Sequence, residues 1–294
     1  MNKITVIGAG TMGNGIAHVF AINGFEVMLF DINEEALAKA IINIEKNINR
    51  QVSKEILTVA VGQSSLERIR LISDLKQAVA SAELVIEAAT ENERLKLEIF
   101  SSLSNLVSDK TILATNTSSI SIGKIAAVTK YPENVIGMHF MNPVPVMKLV
   151  EIISGYKTSD ETTATIIQLS KKLGKTPIAC NDYPGFVANR ILMPMINEAI
   201  ESLQNGVAGV SEIDSIMKLG MGHPMGPLQL ADFIGLDVCL SILNVMHQGY
   251  GNPKYSPNPV LINLVTSGDL GVKSGKGFYD YSNGIKNPTV AYKA

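Results

Sequence analysis

The chain has 294 residues, which is enough for one large domain or two domains of ordinary size. Apolar residues make up 46% of it and charged residues 18%, a balance that fits a folded globular protein and excludes a disordered one. The chain has 25 basic and 27 acidic residues and no run of basic ones. Binding to nucleic-acid phosphates needs a surplus or a cluster of basic residues, so we predict no nucleic-acid partner.

An uncharged stretch runs from Ile4 to Phe25 and resembles a signal peptide or a membrane span in composition. Five glycines, two asparagines and a histidine interrupt it. These residues would be energetically unfavourable in a helix that spans a membrane. A strand, a turn and a helix explain these residues without strain, so we predict no membrane segment.

The first half of the chain alternates short apolar runs with segments of helix length. This pattern predicts βαβ units, and therefore an α/β domain with a mainly parallel, doubly wound sheet over residues 1–183. Strands are expected at residues 4–7, 26–30, 70–72, 84–86, 111–114, 135–138 and 149–153.

The second half has a different character, which begins after the break at residues 181–185. That break has helix-start chemistry and precedes a stripe of apolar residues at helical spacing. Further helices are expected near residues 211–219 and 227–248, so we predict an all-helical domain over residues 184–294. The polar end, from about residue 282, is expected to fray.

Two cysteines, Cys180 and Cys239, lie among apolar neighbours and are interpreted as small core residues. Two cysteines argue against a disulfide framework, and the sequence has no Cys/His spacing typical of zinc. We therefore predict no metal site and expect the reducing cytoplasm as the compartment.

A glycine fingerprint, G-x-G-x-x-G, follows the first predicted strand with the sequence Gly8-Ala9-Gly10-Thr11-Met12-Gly13. Since it also opens a helix, it predicts a Rossmann-type site for the pyrophosphate of a dinucleotide. Asp31 ends the next strand, where a carboxylate binds the ribose hydroxyls and repels a 2′-phosphate. No Arg or Lys closely follows it, which favours NAD over NADP. The alternative is a structural turn with Asp31 as a helix N-cap.

Polar residues follow three of the predicted strands, at the sheet edge where open α/β folds bind ligands. Glu91 follows the fourth strand, Ser118 the fifth and His139 the sixth. Oxidation of a carbinol needs a group that titrates near neutrality, as histidine does. We interpret His139 as that group, and a histidine buried for structural reasons is the alternative.

Glu151 lies inside the next apolar run, and a charged side chain in a buried strand needs a partner. If His139 and Glu151 meet, the carboxylate fixes the tautomer of the imidazole ring. The alternative is a glutamate on an edge strand that faces solvent.

Long motifs along nearly the whole chain resemble those of the L-3-hydroxyacyl-CoA dehydrogenases, most closely the short bacterial members that act on 3-hydroxybutyryl-CoA. They are found at Val6–Gly13, Leu84–Ala89, Thr115–Ser119, Gly137–Glu151, Asp182–Arg190, His223–Pro227 and Lys273–Asp280.

The resemblance implies a nucleotide-binding domain, a helical domain that forms a homodimer, and NAD-dependent interconversion of (S)-3-hydroxyacyl-CoA and 3-oxoacyl-CoA. The expected substrate pair is 3-hydroxybutyryl-CoA and acetoacetyl-CoA. The family's catalytic histidine falls on His139 and its glutamate partner on Glu151, and Ser118 and Asn189 become further catalytic residues that also bind the substrate. The implied cofactor contacts are Gly8, Gly10, Thr11, Met12, Gly13, Asp31, Glu91, Lys96, Ser118, Asn142 and Lys273.

The chain departs from the family at residues 49–55, where a turn rich in Lys and Gly usually contacts the CoA phosphates. Lys54 is the best match for that contact, while Glu55 stands where Gly is common. Lys46, Arg50 and Lys54 also recur every four residues, so a solvated helix face remains the alternative.

Two other functions stay open at this point. One is an NAD-linked dehydrogenase of a small 3-hydroxy acid that carries no CoA, on the same fold. The other is a cofactor-binding protein without catalysis, against which the presence of His139, Glu151, Ser118 and Asn189 argues.

Overall fold

The computed structural model describes residues 1–282 and 287–290. The chain forms two compact units, Met1–Tyr183 and Pro184–Ala294. Residues 283–286 and 291–294 lie outside the described residues, so most of the terminus that we expect to fray is not covered.

The first unit contains an eight-stranded sheet in the order β3-β2-β1-β4-β5-β6-β7-β8. Neighbouring strands are parallel except for the antiparallel pair β6–β7, which confirms the mainly parallel sheet that the sequence predicts. The strands are β1 (Lys3–Ile7), β2 (Glu26–Phe30), β3 (Ile69–Ile72), β4 (Leu84–Glu87), β5 (Ile112–Thr115), β6 (Val135–Phe140), β7 (Leu149–Ser154) and β8 (Thr176–Asn181).

Helices connect most of these strands, and several begin at a capping side chain. The Asn33 side chain accepts hydrogen bonds from the first turn of α2, and Asn92 and Ser159 do the same for α5 and α7. The helices are α1 (Thr11–Ile22), α2 (Glu34–Ser53), α3 (Val59–Glu67), α4 (Leu75–Val79), α5 (Glu93–Leu106), α6 (Ile122–Ala126) and α7 (Asp160–Lys172).

Two strands differ from the prediction. β6 runs two residues beyond Met138, so His139 lies inside the strand rather than after it. The sequence does not predict β8, because Pro177 cannot donate to a ladder and polar residues interrupt the apolar pattern. The structure places β8 at the edge of the sheet, where a proline is tolerated.

The second unit is helical, as predicted, and has an apolar core of its own. It contains α8 (Ala188–Gln204), α9 (Val210–Met221), α10 (Pro227–Ile234), α11 (Leu236–Tyr250) and α12 (Pro259–Thr266). The sequence does not predict its two short antiparallel strands, β9 (Tyr279–Asp280) and β10 (Asn287–Pro288).

The segment predicted as one helix near residues 227–248 is two helices, because Gly235 adopts a φ of 104° between them. A side chain at that φ would be strained, so glycine permits the break. Among the described residues no single helix meets the length and hydropathy of a membrane span. The pair α10 and α11, bent by 96°, meets them only when both are counted together.

Buried carboxylates join the helices of the second unit to one another and to its C-terminal segment. Asp214 of α9 accepts hydrogen bonds from the Leu228 and Gln229 amides of α10 at 2.9 Å, and from the Tyr279 hydroxyl at 2.8 Å. Asp232 accepts from the Phe278 and Tyr279 amides, also at 2.9 Å. Burial raises the pKa of Asp232 to about 6, although the hydrogen bonds act in the opposite direction.

Candidate functional site

The glycine turn between β1 and α1 leaves no room for side chains at two of its positions. Gly8 has a φ of 97°, and its amide donates to the Phe30 carbonyl oxygen at 2.8 Å. A Cβ built on Gly13 would lie 1.7 Å from the Gly8 carbonyl oxygen. The start of α1 therefore packs directly on the turn, which exposes the helix N-terminus to a phosphate.

Replacing Gly13 with Ala is expected to destabilise the chain by about 1–3 kcal/mol or more, because the added methyl group meets backbone and cannot be accommodated by a rotamer change. Urea titration measures the loss. Gly10→Ala is the matched control, since a Cβ there meets nothing within 4 Å. Equal stability of the two variants would contradict this close packing.

Asp31 follows β2 and belongs to the turn rather than to the next helix. Its Oδ2 accepts from the Ala9 amide at 2.8 Å, and its Oδ1 accepts from the Asn33 amide at 2.9 Å. The N-cap of α2 is Asn33, whose side chain accepts from Glu35 and Ala36. The alternative that Asp31 is a helix cap is therefore wrong, and its carboxylate lies where a ribose is expected.

A cavity of about 590 Å³ opens beside this turn. Gly8, Gly10 and Asp31 line it together with apolar residues such as Phe30 and Leu95. Two carboxylates, Asp31 and Glu98, line it as well. Largely apolar walls with the Asp31 carboxylate beside the turn suit an adenosine, whose base is apolar on its faces and whose ribose donates hydrogen bonds. The residues present thus fit the adenosine half of NAD.

His139 and Glu151 lie directly opposite each other in the antiparallel pair β6–β7. Opposed residues project on the same face of a sheet, and His139 Nδ1 lies 2.7 Å from Glu151 Oε2. Both are buried, with exposures of 8% and 3%. The alternative of a solvent-facing Glu151 is therefore wrong. Because an ionised carboxylate only accepts, Nδ1 carries the proton in this bond.

Glu91 lies at the centre of a polar cluster at the ends of β4 and β5. Its Oε1 accepts from Thr117 Oγ1 at 2.6 Å, from the Ser118 amide at 2.8 Å, from Ser119 Oγ at 3.0 Å and from Ser118 Oγ at 3.2 Å. Its Oε2 lies 3.4 Å from Lys96 Nζ. Glu91 and Ser118, both expected at the site, thus contact each other directly.

Glu87 is a member of this cluster to which the sequence assigns no role. It ends β4, is fully buried, and contacts Lys96 Nζ and Thr115 Oγ1 at 2.7 Å each. A glutamate at the end of an otherwise apolar run, one strand from the fingerprint, is the signal that could have identified it. Such a carboxylate needs a buried partner, and Lys96 is that partner.

The loop after β6 carries Asn142, which is exposed and precedes a cis peptide bond to Pro143. A buried lysine that the sequence does not single out holds this loop. Lys175 Nζ donates to the Val144 carbonyl oxygen at 2.5 Å and to that of Met147 at 2.8 Å. Burial and the nearby charge of Lys148 lower the pKa of Lys175 to about 8.

Lys54 follows α2 directly and is exposed, as are Lys46 and Arg50 on that helix. The next residue, Glu55, has a φ of 57°, in the left-handed region that favours glycine. This positive φ at residue 55 explains why glycine is common at this position. The CoA contact of Lys54 stays a prediction, as does the solvated helix face.

The second unit holds the two remaining site predictions. Asn189 is the second residue of α8 and is buried, with an exposure of 8%. Lys273 Nζ donates to Asp237 Oδ2 at 2.6 Å. Their roles with substrate and cofactor stay predictions.

His18 is fully buried in α1, and its Nε2 lies 3.0 Å from Gln51 Oε1. Burial lowers the pKa of His18, which favours the neutral ring. This environment suits a core histidine and contrasts with the carboxylate partner of His139.

Comparisons with solved structures agree with this geometry. The chain superposes on the crystal structure of the (S)-3-hydroxybutyryl-CoA dehydrogenase of Ralstonia eutropha with a TM-score of 0.92. The two are 47% identical, and the match covers 96% of this chain and 100% of that one.

Curated proteins show the same similarity. A probable 3-hydroxybutyryl-CoA dehydrogenase of Deinococcus radiodurans is 53% identical over 279 residues, which cover 95% of this chain and 100% of the relative. The 3-hydroxybutyryl-CoA dehydrogenase of Bradyrhizobium diazoefficiens is 49% identical, with 98% of each chain covered.

Two family models match consecutive parts of the sequence. The 3-hydroxyacyl-CoA dehydrogenase NAD-binding domain matches residues 3–183, and the C-terminal domain of the same family matches residues 185–281. Together with the nucleotide turn and the buried His139–Glu151 pair, these matches show that the chain belongs to the 3-hydroxyacyl-CoA dehydrogenase family and uses NAD.

Proposed function

We propose that this NAD-dependent dehydrogenase interconverts (S)-3-hydroxybutyryl-CoA and acetoacetyl-CoA, with His139 and Glu151 as its acid/base pair. The observation that carries the proposal is the 2.7 Å contact between His139 Nδ1 and Glu151 Oε2 at the carboxyl end of β6. The nucleotide turn lies at the same edge of the same sheet. The names of the similar proteins support the substrate.

His139 acts through its other ring nitrogen, because Nδ1 is held by Glu151. In oxidation, Nε2 accepts the proton of the C3 hydroxyl, and in reduction it returns that proton to the C3 oxygen. Glu151 fixes the tautomer and stabilises the imidazolium that forms. NAD supplies the hydride acceptor, and NADH the hydride donor.

Ser118 and Asn189 are the proposed hydrogen-bond donors to the C3 oxygen as charge develops on it. The Ser118 hydroxyl makes the longest of the hydrogen bonds to Glu91 Oε1, at 3.2 Å. The 2.8 Å bond of its amide to the same oxygen fixes the backbone at this position.

The remaining contacts complete the proposal. Glu91, Asn142 and Lys273 contact the cofactor, and Lys54 contacts the CoA phosphates. Ile216 and Leu219 are exposed apolar side chains three residues apart on α9, and neighbouring groups of this kind mark interaction surfaces, which supports a homodimer formed by the second unit. The cytoplasm remains the proposed compartment.

A spectrophotometric assay tests the function. We expect NADH to be oxidised in the presence of acetoacetyl-CoA, more slowly with NADPH, and hardly at all with free acetoacetate. Turnover of free acetoacetate at the higher rate would favour a dehydrogenase of small 3-hydroxy acids. If no acyl-CoA or free acid of any length caused oxidation, a cofactor-binding protein without catalysis would be favoured instead.

A further inference from the structure

We propose that Lys175 is a positioning residue, which holds the loop between β6 and β7 against α1 and so fixes Asn142 for the cofactor. The loop comprises residues 141–148, and Lys175 lies outside it, directly before β8. The inference rests on the proposed function, since it concerns the cofactor contact of Asn142. It goes beyond that function, because it assigns a role to a residue that does not itself contact the cofactor.

The loop has few means of holding itself in place. Val144 is its buried residue, and most of the others are exposed. Pro143 and Pro145 carry no N–H group, so the loop has fewer donors for hydrogen bonds than other segments of its length. The backbone hydrogen bonds inside it run from the Val146 and Met147 amides to one acceptor, the Pro143 carbonyl oxygen. The loop therefore depends on contacts from outside.

The ammonium group of Lys175 makes two such contacts. Its Nζ donates to the Val144 carbonyl oxygen at 2.5 Å and to the Met147 carbonyl oxygen at 2.8 Å. One group thus joins the middle of the loop to its end. Both bonds come from a charged donor, and such bonds are shorter and stronger than those between neutral groups.

Val144 connects the loop to the helix that follows the nucleotide turn. A Cβ built on Gly15 of α1 would lie 2.9 Å from Val144 Cβ, so the valine packs directly on the backbone of this helix. Gly15 belongs to the same first turns of α1 as Gly13. Because Lys175 bonds the carbonyl of Val144, it presses this contact from the other side. Asn142, two residues before Val144, is thereby held beside the start of α1.

A lysine at this position is unfavourable for stability, so packing alone does not explain it. Lys175 is 8% exposed, and burial together with the like charge of Lys148 lowers its pKa to about 8. None of the ion pairs among the described residues includes Lys175. A buried cation without a counter-ion destabilises a fold. The two loop carbonyls that it binds give the charge its role.

The test measures the affinity of the full-length Lys175→Met variant for NADH by fluorescence titration. Methionine fills the space of the lysine stem but donates no hydrogen bond, so the loop is released. We expect Kd for NADH to rise about tenfold, while kcat for acetoacetyl-CoA at saturating NADH changes less than about threefold. Lys175→Gln also removes the charge and serves if the Met variant does not fold. Lys172→Met is the matched control, because it makes the same change at an exposed lysine in the last turn of α7.

Hydrogen exchange reports the state of the loop directly. The Val146 and Met147 amides, which are bonded to the Pro143 carbonyl oxygen, should exchange faster in Lys175→Met than in the original chain or in Lys172→Met.

A double variant shows whether Lys175 acts through Asn142. Asn142→Ala removes the proposed contact and should raise Kd for NADH at least as much as Lys175→Met does. The variant Asn142→Ala/Lys175→Met should then bind NADH about as well as Asn142→Ala, because the effects of residues that act together are not additive. A lysine with a merely structural role would instead lower the free energy of unfolding and add its loss of affinity to that of Asn142→Ala.

Four results would overturn the positioning role. One is an unchanged affinity for NADH in both Lys175 variants, and another is an additive loss in the double variant. The third is an unchanged affinity in Asn142→Ala, since Lys175 would then have no contact to position. The fourth is weaker binding without faster exchange in the loop, which would indicate direct contact of Lys175 with the cofactor. Since binding is measured without substrate, a failure of the proposed function shows separately, as no turnover of acetoacetyl-CoA by the original chain.

Discussion

Replacing His139 with Gln is expected to lower kcat for acetoacetyl-CoA reduction by about 10²–10⁴-fold while the affinity for NADH is kept. The amide of glutamine has nearly the size of the imidazole ring but cannot exchange a proton near neutral pH. His139 is 8% exposed and its Nδ1 is held by Glu151, so the substitution removes a proton carrier without opening a large cavity.

The measurement is steady-state kinetics together with a fluorescence titration of NADH. His223→Gln is the control, because it makes the same change at a half-buried histidine in the second unit. A His139→Gln variant with near-normal turnover would remove His139 from the acid/base role. Loss of NADH binding with retained stability would assign His139 to the cofactor instead.

The sheet and the nucleotide turn could be predicted because their signals are local. The apolar runs that become β1 and β2 are bounded by glycine and polar residues, and Gly8, Gly10 and Gly13 lie between them at a fixed spacing. Each of these features depends on neighbours within about thirty residues of the chain, the length of a βαβ unit.

The partnership of His139 and Glu151 could be foreseen only as a possibility. The sequence shows two polar residues in adjacent apolar runs but contains no information on register. A register shift of one residue in the antiparallel pair β6–β7 would place them on opposite faces. The structure supplies that register, and with it the 2.7 Å contact.

The contacts of Glu91 with its neighbours could not be predicted from the sequence for another reason. Lys96 lies on α5, whose sequence pattern is amphipathic, and a lysine on such a helix is expected to face solvent. Its burial depends on Glu87 and Glu91 from two other segments, and this three-body contact leaves no periodic signal in the sequence. Lys175 is a similar case, since its partners are carbonyl oxygens, which every residue carries.

Replacing Glu151 with Gln is expected to lower kcat by about 10²-fold or more with little change in NADH affinity. The substitution keeps the shape of a side chain that is 3% exposed but removes its charge. The new amide can donate to Nδ1, which would place the ring proton on Nε2 and block acceptance of the substrate proton. It also cannot stabilise the imidazolium.

The double variant His139→Gln/Glu151→Gln separates a shared role from two independent ones. If Glu151 acts through His139, the double variant should turn over no more slowly than His139→Gln alone, because residues that act as a unit are not additive. Glu161→Gln, an exposed change in the first turn of α7, is the control. Additive losses would show that Glu151 contributes separately from the ring, since the charge would then matter even where no imidazole is present to be oriented.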